Sequence, residues 1–90
     1  MQVKVLFFAS GRELVGLEMD HLILPGSTVS MPQLIEALTA KHPSILQILE
    51  SSMIAVNMSY VDKQGLLEDG EYVQIRDGDE IAVIPPVSGG

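Results

Sequence analysis

Two glycines, Gly89 and Gly90, stand last in the sequence, behind the apolar run Ile81 to Ile84, the diproline Pro85-Pro86 and the pair Val87-Ser88. The group here that could do chemistry is a backbone carboxylate, that of Gly90, rather than any side chain. A carboxylate is ionised at neutral pH and acylates poorly, so it reacts only once activated. An ATP-dependent partner that converts it to an acyl-adenylate supplies a good leaving group and opens it to an amine, a thiol or a sulfide equivalent. The residues before it suit delivery into such a partner. Pro85 and Pro86 lack amide donors and hold φ near about −65°, which stops a strand ladder and sends the chain on extended. Val87 to Gly90 then reach at most about 13 to 14 Å. Gly89 and Gly90, without Cβ atoms, let another protein close on bare backbone. Ordering these four residues costs roughly 4 to 8 kcal/mol, so the folded body must supply the anchorage.

The remaining residue types offer little chemistry of their own. His21 and His42 have no ligand spacing around them, and no metal site is expected. Asp77, Asp79 and Glu80 flank Gly78 and read as a turn whose carboxylates bond local amides rather than a cation. With 0 cysteines there is no disulfide framework and no thiol nucleophile. No Ser, His and Asp set, phosphate loop or carboxylate pair stands out, so no autonomous catalytic residues are expected. Twelve acidic residues against five Lys and Arg leave a net charge of −7. That balance repels phosphate backbones and argues against nucleic acid, while favouring a basic protein surface. The opening MQVKVLFFAS is too short an apolar run for a signal-peptide core or a membrane span. A cytoplasmic protein with no membrane partner is expected.

The elements that must position the last strand follow from periodicity. Ninety residues with 47% apolar side chains suffice for one core, at a size where folding buries roughly 60 to 68% of the unfolded chain's surface. Gln2 to Ala9 alternates at first and becomes wholly apolar at Leu6, Phe7 and Phe8, a strand. Ser10 to Gly16, with helix formers between glycines, reads as a helical turn or loop. Glu18 to Leu24 is a second strand before the Pro25-Gly26 turn, antiparallel to the first. Thr28 or Ser30 caps a helix running through Met31, Pro32, Leu34, Ile35, Leu38 and Lys41 and ending near His42-Pro43. Ser44 to Glu50 is a shorter helical stretch. Met53 to Asn57 and Tyr60 to Asp62 read as strands around an Asn-Met-Ser turn. Tyr72 to Ile75 and Ile81 to Ile84 read as two more around Asp77-Gly78-Asp79.

This order predicts an α+β fold, a ubiquitin-like β-grasp with a mixed sheet of four to five strands curled around one main helix, over residues 1–86, followed by a tail at 87–90. In that topology the first and last strands lie parallel in mid-sheet. Phe7 and Phe8 then sit beside Val83 and Ile84, and alternation turns one member of each pair away from the helix. The result is an apolar edge beside the tail, of the kind that marks an interaction site unless Ser10 to Gly16 folds back over it.

On VKVLFFASGRELVG (Val3 to Gly16), AVN (Ala55 to Asn57) and DGDEIAVIPPVSGG (Asp77 to Gly90), the chain resembles the small, sulfur-carrying subunits of molybdopterin synthase, over nearly its whole length. The resemblance implies that an E1-like enzyme uses ATP and Mg to adenylate Gly90 and that a thiocarboxylate follows. A larger synthase subunit, in a heterotetramer of two small and two large chains, would use that sulfur to build the molybdopterin dithiolene. It further implies tail threading through Pro85, Pro86, Val87, Ser88 and Gly89, and docking through Phe7, Tyr60 and Ile84. The chain itself would bind no cofactor. The segment KQGLLEDGEYVQIR (Lys63 to Arg76) is longer and more acidic than in compact relatives, which clouds the pairing of the fourth strand. Within the same fold, a carrier for thiazole synthesis in thiamine formation or a ubiquitin-like modifier joined to lysines are the alternatives, with a plain interaction module as a third.

Overall fold

Val3, Val5 and Phe7 are buried while Gln2, Lys4 and Leu6 between them are not, and this alternation makes Gln2–Phe7 a strand, β1, with one face in the core. The computed structural model describes residues 1–86. Its element order continues with α1 (Ala9–Val15), β2 (Met19–Ile23), β3 (Thr28–Val29), α2 (Met31–Lys41), a 3₁₀ turn (Pro43–Ile45), α3 (Leu46–Leu49), β4 (Met53–Val56), β5 (Ser59–Val61), β6 (Ile75–Arg76) and β7 (Glu80–Ile84). Five strands form one mixed sheet in the order β2-β1-β7-β4-β5, and β3 and β6 form a separate two-stranded ribbon. β1 runs parallel to β7 and antiparallel to β2. This is the β-grasp, with the first and last strands side by side as expected.

The helix that the sheet grasps starts where its sequence says it should. The Ser30 side chain accepts from the Gln33 amide at 3.3 Å, and the Gln33 side chain accepts from the Ser30 amide at 2.8 Å, a reciprocal capping box. Pro32 falls in the first turn, where its missing N–H has no helical partner to lose. Met31, Leu34 and Leu38 then present one stripe to Val3, Val5, Phe7, Ile54, Ile81 and Val83 of the sheet. Each such side chain contributes about 1.5 to 3 kcal/mol by leaving water.

Three local readings change. Ser10 to Gly16 is a true helix, α1, whose buried Gly11 lets it lie close on the short helices behind it: a Cβ there would meet the Ile48 side chain at 3.3 Å. Tyr72 to Ile75 does not form a hairpin with Ile81 to Ile84. Both edges of β7 are already taken, by β1 and β4, so β6 pairs with β3 instead. The Asp77-Gly78-Asp79 turn carries the chain between the two sheets and is hooked to β1: the Gln2 amide donates to the Asp77 carboxylate and Gly78 N–H to the Gln2 carbonyl, both at 2.8 Å. The acidic segment is ordered by Asp62, whose carboxylate accepts from Gln64 and Leu66 amides at 2.8 and 2.9 Å. Leu67 and Val73 fold back onto the core. No helix among the described residues is long and apolar enough to cross a membrane.

Candidate functional site

The sheet face turned away from α2 divides into two halves, and strand register shows how. Leu6 stands opposite Met19 on one side and Ala82 on the other, Ala82 opposite Ala55, and Ala55 opposite Tyr60. A single apolar row therefore crosses all five strands. One step toward the end of β7, Ile84 faces Met53. One step the other way the row is charged, with Lys4 between His21 and Glu80. The contiguous apolar row thus lies in the half from which the chain leaves β7, while exposed Ile23, opposite Gln2, stands apart beyond the charged row.

Side-chain size gives this half its shape. Ala55 and Ala82 are too small to rise above the backbone, and they floor a shallow concavity of about 250 Å³. Leu6, Phe8, Tyr60 and Ile84 stand around it, with Met58 at the hairpin end and Glu80 at the charged border. Phe8 keeps an extended backbone at the entry to α1 (φ −123°, ψ 154°), so it continues the strand's alternation onto the outer face. α1 packs at the other side and leaves the concavity open.

The three side chains expected at a docking surface separate here. Tyr60, 51% exposed, and half-buried Ile84 line the concavity. Phe7 does not: it is 0% exposed and lies in the core, its ring meeting that of His42 edge-on at a centroid distance of 5.6 Å. Its place outside is held by Leu6 and by Phe8, 38% exposed. Counting alternation forward from Val3 and Val5 assigns Phe7 inward, and the all-apolar Leu6-Phe7-Phe8 run masks that phase. The sequence does not assign Leu6, Ala55, Met58 or Ala82 to the docking surface, and alanine carries no such signal until its cross-strand neighbours are known.

The hairpin between β4 and β5 is unusual. Asn57 and Met58 both have positive φ, 49° and 74°, the pattern of a two-residue turn that favours Asn-Gly. Methionine in this conformation costs roughly 1 to 2 kcal/mol. The turn is held by Asn57, whose backbone N–H donates to the Glu80 carbonyl at 2.8 Å and whose side-chain amide donates to the Asp79 carboxylate at 3.0 Å. The Glu80 amide returns a bond to the Asn57 side-chain oxygen at 2.9 Å. A more polar groove of about 410 Å³, flanked by Glu68 and Asp69, adjoins through Met58 and Tyr60.

At the exit, Pro85 is buried and Pro86 exposed, so the chain passes from core to surface between them. Val87, Ser88, Gly89 and Gly90, the expected tail and carrier position, lie outside the described residues.

Of the side chains with metal-ligating chemistry, His42, Asp77 and Asp79 are engaged otherwise. His42 Nε2 lies 2.7 Å from Asp20 Oδ2, and Lys41 Nζ 3.0 Å from the same oxygen, tying the end of α2 to β2. The hydrogen bond from His42, reinforced by Lys41 and the His21 amide, outweighs partial burial and holds the Asp20 carboxyl down at about 2. The Asp79 carboxylate accepts the Arg76 amide at 2.8 Å. Among the described residues no group of three or more His, Cys, Asp or Glu is arranged to hold a metal ion.

Fold and surface together define a ubiquitin-like β-grasp domain whose exposed apolar face adjoins the exit of its last strand. The ThiS family model matches residues 5–90, and the chain belongs to the ThiS family. The molybdopterin synthase sulfur carrier subunit of Chlamydomonas reinhardtii is 38% identical over 90 residues, covering 100% of both chains. Among solved structures, SAMP1 from Haloferax volcanii shares the fold at a TM-score of 0.78 and 22% identity, with 100% of both chains covered. A putative molybdopterin converting factor, subunit 1, from Pyrococcus furiosus matches at a TM-score of 0.75 and 28% identity, covering 97% of this chain and 99% of that one.

Proposed function

We propose that this chain is the sulfur carrier subunit of a molybdopterin synthase, acting in the cytoplasm. It works as the sulfur-donating part of an enzyme whose catalytic groups sit on the large subunit. The single observation that carries the reading is the apolar row Leu6, Ala82, Ala55, Tyr60, which crosses β7 at Ala82, just before Ile84 and the Pro85-Pro86 exit of the chain. Kinship with a carrier subunit along the full chain supports it.

The chemistry follows from the Gly90 carboxylate. An E1-like enzyme brings ATP and Mg²⁺; a carboxylate oxygen attacks the α-phosphorus and pyrophosphate departs. A sulfur nucleophile then displaces AMP from the acyl-adenylate and leaves a thiocarboxylate. Docking of the apolar face on the large subunit offsets the cost of ordering 87–90 and holds the sulfur beside the pterin, a gain in proximity. Pro85 and Pro86 fix the tail's direction, and Val87, Ser88 and Gly89 thread it.

Incubation with the activating enzyme, ATP and a sulfur donor should raise the intact mass by one oxygen-to-sulfur exchange, mapped to Gly90. Exchange that persists after Gly90 is deleted would sink this assignment.

A further inference from the structure

Three of the five methionines stand at the surface on the outward side of the sheet, and they are graded in exposure: Met58 is 92% exposed, Met53 53% and Met19 38%. Met31, the first residue of α2, is buried in the core. Met58 is the extreme case. It contributes almost nothing to the core and occupies a backbone conformation that disfavours it, yet Asn57 pins the turn from both sides so that the thioether is presented on the rim of the concavity. Nothing in the fold requires a large apolar side chain there.

We propose that Met58 is a peroxide-sensitive modification site that gates docking on the apolar face, an inference that rests on the carrier reading above. The thioether sulfur attacks one oxygen of a hydroperoxide. An S–O bond forms as the O–O bond breaks, sulfur gives up two electrons, and the other oxygen leaves as water or an alcohol with the protons. The product, methionine sulfoxide, is polar and chiral, and reductases restore it. On the rim it places a strong acceptor where the partner expects apolar surface. A poorly paired polar group in such a contact weakens binding about tenfold. With 0 cysteines in the chain, no thiol competes for the oxidant. Flexible, polarizable methionine also suits a surface that must meet more than one partner.

The test uses the folded full chain, hydrogen peroxide, peptide mapping by mass spectrometry, and calorimetry with the large synthase subunit. Met58 should oxidise first and buried Met31 last. The species oxidised at Met58 should bind about tenfold more weakly, and treatment with methionine sulfoxide reductase should restore affinity. Met58→Gln should bind weakly without peroxide. Met58→Leu, whatever its own affinity, should change less than twofold on treatment. Unchanged binding by the Met58 sulfoxide, or weakening that persists in Met58→Leu, overturns the proposal while leaving the carrier reading intact. Failure of the untreated chain to bind the large subunit overturns both.

Discussion

Phe7 and Phe8 are neighbours in sequence and opposites in the folded chain. Phe7 fills the space between sheet and α2 and has no surface left. Phe8 turns outward, beside Leu6, over a floor of two alanines. A second contrast sharpens the first. An apolar groove of about 220 Å³ lies on the opposite side of the domain, where Leu24 and Val29 meet Ala37 and Ala40 of α2. It is nearly as large as the concavity on the sheet, yet it lies apart from the exit of β7. Apolar surface alone therefore does not mark the docking side. Under the proposed carrier reading, its position relative to the tail does.

The contrast breaks most visibly at Phe7. Phe7→Ala should lose about 3 to 5 kcal/mol of stability in urea unfolding, as an unfilled core site demands. Phe8→Asp should leave the unfolding free energy within about 1 kcal/mol of the parent. The same Phe8→Asp change should weaken binding to the large subunit by about 10 to 100-fold in calorimetry, the order of a central interface contact. Equal stability losses for the two phenylalanines would erase the distinction. Ser30→Ala removes the capping box and should cost about 1 kcal/mol in thermal unfolding without altering docking.

The smallest effect concerns acid. Asp20 is held at about 2, below its ordinary 3.8, so the folded state binds fewer protons than the unfolded one across that interval. Its contribution is complete above the ordinary value and disappears as pH falls through about 2. Asp20→Asn should flatten the dependence of unfolding free energy on pH between those values; an unchanged slope would show that Lys41 and His42 hold the carboxylate only weakly.

What could be read from the residues divides along physical lines. Strong periodicity reveals β1, β2, α2, the helical stretch after Pro43 and the β4–β5 hairpin, while it leaves Thr28 and Ser30 both open as the cap and Ser10 to Gly16 as a helical turn or loop. β3 and β6 are two residues each, too short for any period, and they pair only because the Asp77 to Asp79 turn is tied to Gln2. The side chosen by Phe7 was misjudged because Leu6, Phe7 and Phe8 are all apolar, although Val3 and Val5 carried the phase. Ala55 and Ala82 become meaningful only through register between strands far apart in the chain. The tail's chemistry is an expectation drawn from its last residues alone, and Val87 to Gly90 lie outside the described residues.

The most direct test of the central claim is a methyl NMR titration of the full chain with the large subunit. The account predicts shifts concentrated on Leu6, Ala55, Ala82, Ile84 and Met58, with Leu24, Val29, Ala37 and Ala40 unmoved. Perturbation centred on the α2 groove, with the sheet's outer face silent, would contradict it.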